Sequence, residues 1–247
     1  MALAARTVSE LQETARLTEV LGAPTCVIGT DVAESTQVDA MVRHTLERFS
    51  TMHILVNNAA MLGPVESLWE TDIASWLQTI QVNLIGTYLC CRAVLPVMLA
   101  QGYGKIINVT SGARVRGSAA FMRRHQTAYF ASKAAITQRT ELLAHQVSHQ
   151  PIQVNAMSPG GHTRMTERLL EQAQAIGETD LLAVTQQVIA TDPRERSAAL
   201  AVFLASDASG ILSGRALSYA DDFDTLSSRI QGIMASDAYT LRRVEET

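Results

Sequence analysis

Short apolar runs alternate with longer amphipathic segments along the whole chain. The apolar runs predict six strands, at residues 2–5, 25–29, 54–57, 106–110, 152–156 and 216–219. The amphipathic segments predict six helices, at residues 8–21, 35–49, 71–101, 129–149, 163–175 and 193–205. The runs at 54–57 and 106–110 are apolar without alternation, which is typical of strands buried on both faces of a parallel sheet. The pattern therefore predicts a doubly wound α/β fold with helices on both faces of the sheet.

The chain shows no internal repeat and no linker-like stretch, so we predict one domain over residues 1–223 and a helical tail over 224–247. The long helix at 71–101 contains Pro96, which we expect to kink the helix or to end its first part. This helix and the one at 129–149 are apolar over much of their surface. Their outer faces either pack within the core or bury against a partner chain, and the sequence favours neither alternative.

Composition narrows the classes of function. Apolar residues make up 47% of the 247 residues, so the chain can bury a full core. With 20 basic and 24 acidic residues the net charge is −4, so nucleic acid is not an expected partner. No apolar stretch approaches the ~18 residues of a membrane span, so we expect no membrane partner. Three cysteines and scattered histidines give neither a disulfide framework nor metal-ligand spacing, which favours a cytoplasmic protein without a metal.

Tyr129 and Lys133 are the first candidates for chemistry. Residues four apart on a helix lie on one face, one turn from each other. A lysine ammonium at that distance favours the phenolate and is expected to lower the pKa of the tyrosine, which could then exchange a proton with an alcohol or ketone oxygen. Such pairs also occur by chance on exposed helix surfaces, and the pair alone does not separate the two interpretations.

Small and polar residues follow four of the predicted strands. The carboxyl ends of parallel strands meet at one edge of an open sheet, where such folds bind ligands. The four segments at this edge are Thr30-Asp31-Val32, Asn57-Asn58-Ala59-Ala60, Thr110-Ser111-Gly112 and Ser158-Pro159-Gly160-Gly161.

With these motifs the chain resembles the short-chain dehydrogenases/reductases. The matching motifs occur in the family's order over about residues 2–220: Asp31-Val32, Asn57-Asn58-Ala59-Ala60, Asn83-Leu84-Ile85-Gly86-Thr87, Ser111, Tyr129-x-x-x-Lys133 and Ser158-Pro159-Gly160. The resemblance implies a Rossmann-like single domain. It also implies hydride transfer between a nicotinamide and a carbonyl or secondary alcohol carbon, with the cofactor supplying the hydride chemistry.

The resemblance assigns four catalytic residues. Tyr129 would act as general acid/base, and Ser111 would hydrogen-bond the substrate oxygen and stabilise its developing charge. Lys133 would hold the cofactor ribose and lower the pKa of Tyr129. Asn83 would anchor a water molecule that links Lys133 to solvent, the alternative being an exposed helical asparagine.

The cofactor residues are implied in the same way. Asp31, with Val32, would meet the adenine, and Asn57 and Ala59 would line the adenosine ribose. The nicotinamide would be flanked by Pro159, Gly160 and Thr163, with Tyr129 and Lys133 beside it. Thr163 follows Pro159-Gly160 one residue earlier than the commonest family spacing, so its part in this set is the least secure.

Arg6 bears on the choice of cofactor. Residues 2–5 resemble the family's second strand, whose end carries a carboxylate in NAD-dependent members. A guanidinium at that position suits a ribose 2′-phosphate, which favours NADP over NAD. The alternative is a solvated arginine with no ligand.

The chain also departs from the family. A Gly-rich turn that would cradle the pyrophosphate is absent from the sequence, as if the first strand and helix were missing. Strands 2–5 and 54–57 would then each expose an unpaired apolar edge. Either the natural protein has the missing unit, or this is a degenerate member that acts by binding or assembly. The first explanation is favoured because the catalytic positions are all present.

Two further departures concern the surroundings of the site. The segment between Ser111 and Tyr129 is longer than usual and contains Arg114, Arg116, Arg123, Arg124 and His125. These cations either favour an acidic substrate or form a solvated basic loop. Residues 219–223 replace the family's usual Gly-Gly after the last strand, which puts contacts from that end in doubt. The partner is expected to be a small carbonyl or alcohol, and the family suggests a homodimer or homotetramer.

Overall fold

The computed structural model of the chain describes residues 1–111, 126–223 and 225–241. In chain order its elements are β1 (Ala2–Ala5), α1 (Val8–Val20), β2 (Cys26–Gly29), α2 (Ser35–Phe49), β3 (Ile54–Asn57), α3 (Ile73–Ile80), a π-turn (Gln81–Ile85), α4 (Gly86–Gln101), β4 (Gly104–Val109), α5 (Thr127–Gln146), β5 (Ile152–Ser158), α6 (Arg164–Ile176), α7 (Thr179–Thr191), α8 (Arg194–Ala205), a 3-10 turn (Asp207–Ser209), β6 (Ala216–Ser218) and α9 (Leu226–Met234). Strands and helices alternate and every strand pair is parallel, which confirms the predicted single-domain Rossmann-like α/β fold.

The strands form two sheets rather than one. β1 pairs with β2, and a separate four-stranded sheet has the order β3-β4-β5-β6. Among the described residues, β1 and β3 therefore each have a single neighbour. We call the space between Ala2–Ala5 and Ile54–Asn57 the β1–β3 gap.

One buried cluster holds the two sheets together. It contains Ile28 and Met41 from the first unit together with Leu55, Val94 and Ile106 from the second. On the other face of the four-stranded sheet, a second cluster packs α8 and α9 against β4, β5 and β6. Alternation along a strand explains the division, because Ile106 faces the first cluster and its neighbour Ile107 the second.

Two helical predictions are wrong in detail. The helix predicted over 71–101 does not end at Pro96, which lies inside α4; its α-helical path is interrupted instead by the π-turn at Gln81–Ile85. The sequence pattern predicts no element between 175 and 193, where the structure has α7 packed against α6. The segment predicted as a helical tail does contain a helix, α9, whose Leu226, Ile230 and Ile233 are buried.

The helical segment Ile73–Gln101 is long and apolar enough to satisfy a membrane-span criterion, which corrects the expectation that no stretch would be. Half of its most apolar window is buried within the protein. Cys90, Val94 and Met98 pack it against the sheet. Cys90 and Cys91 are buried free thiols, and burial raises their pKa to about 12 and about 11, so neither is a ready nucleophile.

Candidate active site

Tyr129 and Lys133 lie one turn apart near the start of α5, as predicted. The Lys133 Nζ lies 5.7 Å from the centroid of the Tyr129 ring. The same nitrogen donates a hydrogen bond of 2.8 Å to the carbonyl oxygen of Val109, the last residue of β4. The buried Lys133 therefore links α5 to the carboxyl end of β4, two residues before Ser111.

Burial sets the titration of both groups. It raises the pKa of Tyr129 to about 12, and a hydrogen bond with the side chain of Ser111 offsets only part of that rise. It also lowers the pKa of Lys133 to about 8. The expected lowering of the Tyr129 pKa by Lys133 is therefore wrong for this conformation. Removal of the phenolate from water is the largest cause of the raised pKa, and Lys133 Nζ is bonded to a carbonyl rather than to the phenol.

Ser111 lies beside Tyr129, as the motif predicts. It lies two residues after the end of β4, and its hydroxyl forms a hydrogen bond with the phenol of Tyr129. A substrate oxygen placed between the two hydroxyls would meet two hydrogen-bond donors. That arrangement suits an oxygen on which negative charge develops.

Asn83 is fully buried within the π-turn, which excludes the exposed alternative. Its Oδ1 accepts from the Met61 N–H at 2.8 Å, and its Nδ2 donates to the Met61 carbonyl at 3.0 Å and to Ser132 Oγ at 3.1 Å. Ser132 Oγ in turn donates to the Tyr129 carbonyl at 2.6 Å. Asn83 thus ties the loop after β3 to the helix of Tyr129, a π-turn being a common device at functional sites. Its water-anchoring role stays a prediction.

Asn57 faces the interior rather than the ligand edge. Its Nδ2 donates to Asn108 Oδ1 at 2.9 Å and to Cys91 Sγ at 3.3 Å, and Asn108 Nδ2 reaches Thr140 Oγ1 at 3.0 Å. The side chain predicted to line the ribose is therefore committed to a buried network, which leaves only its backbone for the cofactor. Ala59, two residues later, is exposed at the edge.

The residues predicted for the adenine and ribose lie after β1 and β2. Asp31 closes a turn by accepting from the Ala33 N–H at 3.0 Å. Val32 packs against the start of α4, where a Cβ on Gly86 would come within 2.7 Å of its Cγ2. Arg6 follows β1 and is exposed, so its guanidinium is accessible to a ligand.

Gly160 is held in a tight contact. Its N–H donates to Ser197 Oγ, and a Cβ would lie 2.5 Å from the Tyr219 ring and 2.7 Å from Pro193. Tyr219 thus packs on the turn that Pro159 and Gly160 form, which gives the unusual residues after β6 a structural role. Ser158 Oγ, one residue before Pro159, is buried without a hydrogen-bond partner in the described part of the chain.

Thr163 begins α6. Its Oγ1 accepts a hydrogen bond from the Thr166 N–H, which forms a capping box together with the Thr163 N–H that donates to Thr166 Oγ1 at 2.7 Å. Thr166 Oγ1 also donates to the Thr163 carbonyl at 2.7 Å. The hydroxyl therefore serves the helix, and its contact with a nicotinamide stays a prediction. His162 pairs with Glu167 at 2.8 Å, and its N–H donates to Asp192 at 3.1 Å.

An apolar cluster beside the site was not predicted from the sequence. Leu62 and Val65 from the loop after β3 form a buried cluster with Leu169 and Ala173 of α6 and Leu181 of α7. The helical spacing of apolar residues in 169–182 was the available signal. The α6–α7 pair is thereby packed against the loop that Asn83 fixes.

Some predictions fall on residues outside the described part. The basic loop at 112–125, with its four arginines and His125, is one of them. Within the described ranges no group of three metal-ligating side chains occurs. A cavity of about 860 Å³ lies at the opposite end of the sheet, beside Gly104 and Ile152 where β4 and β5 begin. It is not the candidate site, because open α/β sheets bind ligands at the carboxyl ends of their strands.

A nicotinamide cofactor fits one half of the site. Its reacting end would meet Ser111, Tyr129 and Lys133, and the unpartnered buried hydroxyl of Ser158 lies beside the Pro159 turn. The pyrophosphate end lacks its Gly-rich turn in this sequence, and the β1–β3 gap lies in the middle of that half. The residues present therefore suit the reacting end and leave the phosphate end incomplete.

Comparison with known proteins agrees with this geometry. Residues 1–221 match the sequence profile of the family described as enoyl-(acyl carrier protein) reductase. A probable short-chain type dehydrogenase/reductase from Bradyrhizobium diazoefficiens is 37% identical over 188 residues, which cover 74% of this chain and 64% of that protein. A 3-oxoacyl-[acyl-carrier-protein] reductase from Synechocystis sp. is 34% identical over 182 residues, 70% of each chain. The chain thus spans less than two thirds of the first relative's length.

Solved structures share the fold. NAD⁺-bound xylitol dehydrogenase superposes with a TM-score of 0.79 at 27% identity, over 88% of this chain and 86% of that one. An actinorhodin polyketide ketoreductase with NADPH gives a TM-score of 0.77 at 24% identity, over 88% and 84%. One of these structures holds NAD⁺ and the other NADPH, so the likeness does not distinguish the two cofactors.

Proposed function

The chain belongs to the short-chain dehydrogenase/reductase family, and from that premise we propose that it is an NADP-dependent oxidoreductase acting on a carbonyl or secondary alcohol. The observation that supports this most directly is the contact of the Ser111 hydroxyl with the Tyr129 phenol, with Lys133 one turn further along α5. These are the groups that proton exchange with a substrate oxygen requires.

The side chains define the proton's path in the direction of reduction. Ser111 and Tyr129 hydrogen-bond the carbonyl oxygen, and Tyr129 transfers its phenolic proton to that oxygen as charge develops. A nicotinamide held beside Ser111, Tyr129 and Lys133 would supply two electrons as a hydride to the carbonyl carbon, which together with the proton from Tyr129 would give the alcohol. Because burial raises the pKa of Tyr129 to about 12, the phenol keeps its proton at neutral pH. Lys133 holds α5 in register through Val109.

Replacement of Tyr129 by phenylalanine tests the catalytic proposal. The variant keeps the ring and loses only the hydroxyl, so turnover of NADPH with a panel of ketones should fall at least 100-fold while NADPH binding changes little. Phe130→Tyr is a matched control, since it adds a hydroxyl one residue away. Equal turnover by wild type and Tyr129→Phe would refute the assignment.

The exposed position of Arg6 after β1 supports the NADP preference. A guanidinium can bind a 2′-phosphate through two hydrogen bonds and has no such partner in NAD. We further propose that the protein works in the cytoplasm as a homodimer or homotetramer through the outer faces of α4 and α5, where Tyr88 and Leu142 are exposed.

The split sheet favours a second candidate, a non-catalytic relative that acts by binding or assembly. Titration of the purified chain with NADPH and NADH, followed by tryptophan fluorescence, separates the two candidates. Saturable binding supports the enzyme. A folded chain that binds neither nucleotide supports the non-catalytic relative.

A further inference from the structure

A hydrogen bond from Trp76 joins α3 to the start of α5, close to Tyr129. The indole Nε1–H of Trp76 donates to Thr127 Oγ1 at 3.1 Å. Thr127 is the first residue of α5 and precedes Tyr129 by two positions. Trp76 and Thr127 are 51 residues apart in the chain, so this bond belongs to the tertiary structure of the site and not to either helix alone.

The start of α5 depends on contacts from outside the helix. Gln126, which precedes its first residue, has φ of 69° and ψ of 34°, in the left-handed region that residues other than glycine rarely adopt. In the described structure the Gln126 side chain makes no capping hydrogen bond to α5. The turn that carries Tyr129 therefore lacks the side-chain cap that usually fixes the start of a helix. A hydrogen bond to Thr127 Oγ1 supplies a restraint at that end.

The helix that carries the indole is itself firmly held. The Asp72 carboxylate caps α3 by accepting from the N–H and from the hydroxyl of Ser75, each at 2.8 Å. Thr79, one turn further on, is completely buried against Gly63, where a Cβ would come within 2.3 Å of Thr79 Oγ1. Trp76 lies between these two contacts, so α3 provides a fixed support for α5.

Trp76 and Asn83 contact α5 on either side of Tyr129. They are seven residues apart, which is about two helical turns, and both side chains meet the same neighbouring helix. Trp76 bonds to Thr127, two residues before Tyr129. Asn83 bonds to Ser132, three residues after it, at 3.1 Å. Tyr129 is thus held between two hydrogen bonds that come from one helical segment.

We propose that Trp76 is a positioning residue for proton transfer: its bond to Thr127 holds the first turn of α5, and thereby the Tyr129 phenol, against Ser111. The step that this geometry serves rests on the proposed function. Proton transfer needs the phenol oxygen within about 2.6–3.2 Å of the substrate oxygen, so a small displacement of the turn slows it. Trp76 acts through Thr127 and takes no part in the chemistry itself.

Two substitutions remove the bond from opposite sides. Trp76→Phe keeps an aromatic ring without the donor, and Thr127→Val keeps the shape of the side chain without the acceptor. Each should lower kcat for NADPH-dependent ketone reduction about fivefold, the weight of one neutral hydrogen bond, and leave the Kd of NADPH unchanged. Thr127→Ser keeps the hydroxyl and should keep the wild-type kcat. Trp69→Phe is the matched control, because Trp69 is 85% exposed.

The double variant separates this bond from two independent effects. Trp76→Phe combined with Thr127→Val should be no slower than either single variant, because both remove the same interaction. Losses that multiply would overturn the proposal, as would a loss in Thr127→Ser equal to that in Thr127→Val. A fall in kcat with an equal fall in NADPH affinity would also overturn it, since that pattern indicates a general loss of structure.

Magnetic resonance of tyrosine labelled with ¹³C at Cζ follows the phenol without any turnover. The Tyr129 signal, identified by its absence in Tyr129→Phe, should move in Trp76→Phe and in Thr127→Val. It should stay in place in Thr127→Ser and in Trp69→Phe. These shifts in a chain that reduces no ketone would support the positioning role and count against the proposed function. A Tyr129 signal that moves in none of the variants would overturn the positioning role, whether or not the chain is active.

Discussion

Asn83→Ala perturbs the contact between the loop after β3 and the helix of Tyr129. The buried amide makes three hydrogen bonds, two to the backbone of Met61 and one to Ser132 Oγ. A net contribution of about 1 kcal/mol for each bond predicts a loss of about 3 kcal/mol in the free energy of unfolding. The loss should not exceed that value greatly, because Ser132 keeps its own bond to the Tyr129 carbonyl.

Urea unfolding followed by circular dichroism measures this loss. Asn58→Ala is the matched control, since Asn58 is exposed beside the same loop and its removal should change stability by less than about 0.5 kcal/mol. Amide hydrogen exchange gives a local check, because the Met61 N–H should lose protection in Asn83→Ala. A loss below about 1 kcal/mol, with Met61 still protected, would contradict the idea that Asn83 braces the site.

Ser132→Ala, combined with Asn83→Ala in a double-mutant cycle, should reveal a coupling of about 1 kcal/mol, because the Nδ2–Oγ bond joins the two side chains directly. Lys133→Met should remove the part of the pH dependence of stability that comes from this lysine. Burial lowers the pKa of Lys133 to about 8, so above pH 8 the unfolded chain binds more protons than the folded one. The free energy of unfolding of wild type relative to the variant should therefore rise from pH 8 to 10 in urea titrations. A flat difference would refute that assignment. Gly160→Ala should destabilise by about 1–3 kcal/mol because its Cβ would strike Tyr219, whereas Gly232→Ala, with open space around it, should not lower the melting temperature. Arg6→Glu should weaken NADPH binding at least tenfold and leave NADH unchanged in fluorescence titrations, and equal effects on both nucleotides would exclude recognition of the 2′-phosphate.

The sequence predicts the elements of the site better than its electrostatics. Apolar runs such as 54–57 and 106–110 report burial directly, so the strands and their order follow from the pattern. Spacing alone placed Tyr129 and Lys133 on one helix face. The direction of the Tyr129 pKa shift was wrong because it depends on how much water surrounds the phenol, which residue spacing does not encode.

The directions in which the Asn57 and Asn83 side chains point were also not predicted from the sequence. Asn57 and Asn83 both belong to motifs at the ligand edge, yet each amide is committed to protein partners. In the structure Asn57 lies on the same face of β3 as the buried Leu55, but the run at 54–57 is apolar without alternation, so the sequence does not indicate which face is inward. The π-turn around Asn83 was not predicted, because apolar residues dominate the segment on both sides of it and the pattern was interpreted as one continuous helix over 71–101.

The two halves of the site differ in what holds them together. The reacting half rests on the four-stranded sheet and α5, with Lys133 bonded to Val109 and Asn83 bonded to Met61. The nucleotide half is divided between the β1–β2 unit and β3, and the two meet through the helices on a single face. The Ser111–Tyr129 contact therefore lies within the four-stranded half, whereas the residues proposed for the adenine and ribose are divided between the two sheets. Loss of cofactor binding in this chain would therefore be compatible with an intact Ser111–Tyr129 contact, and the two properties require separate assays.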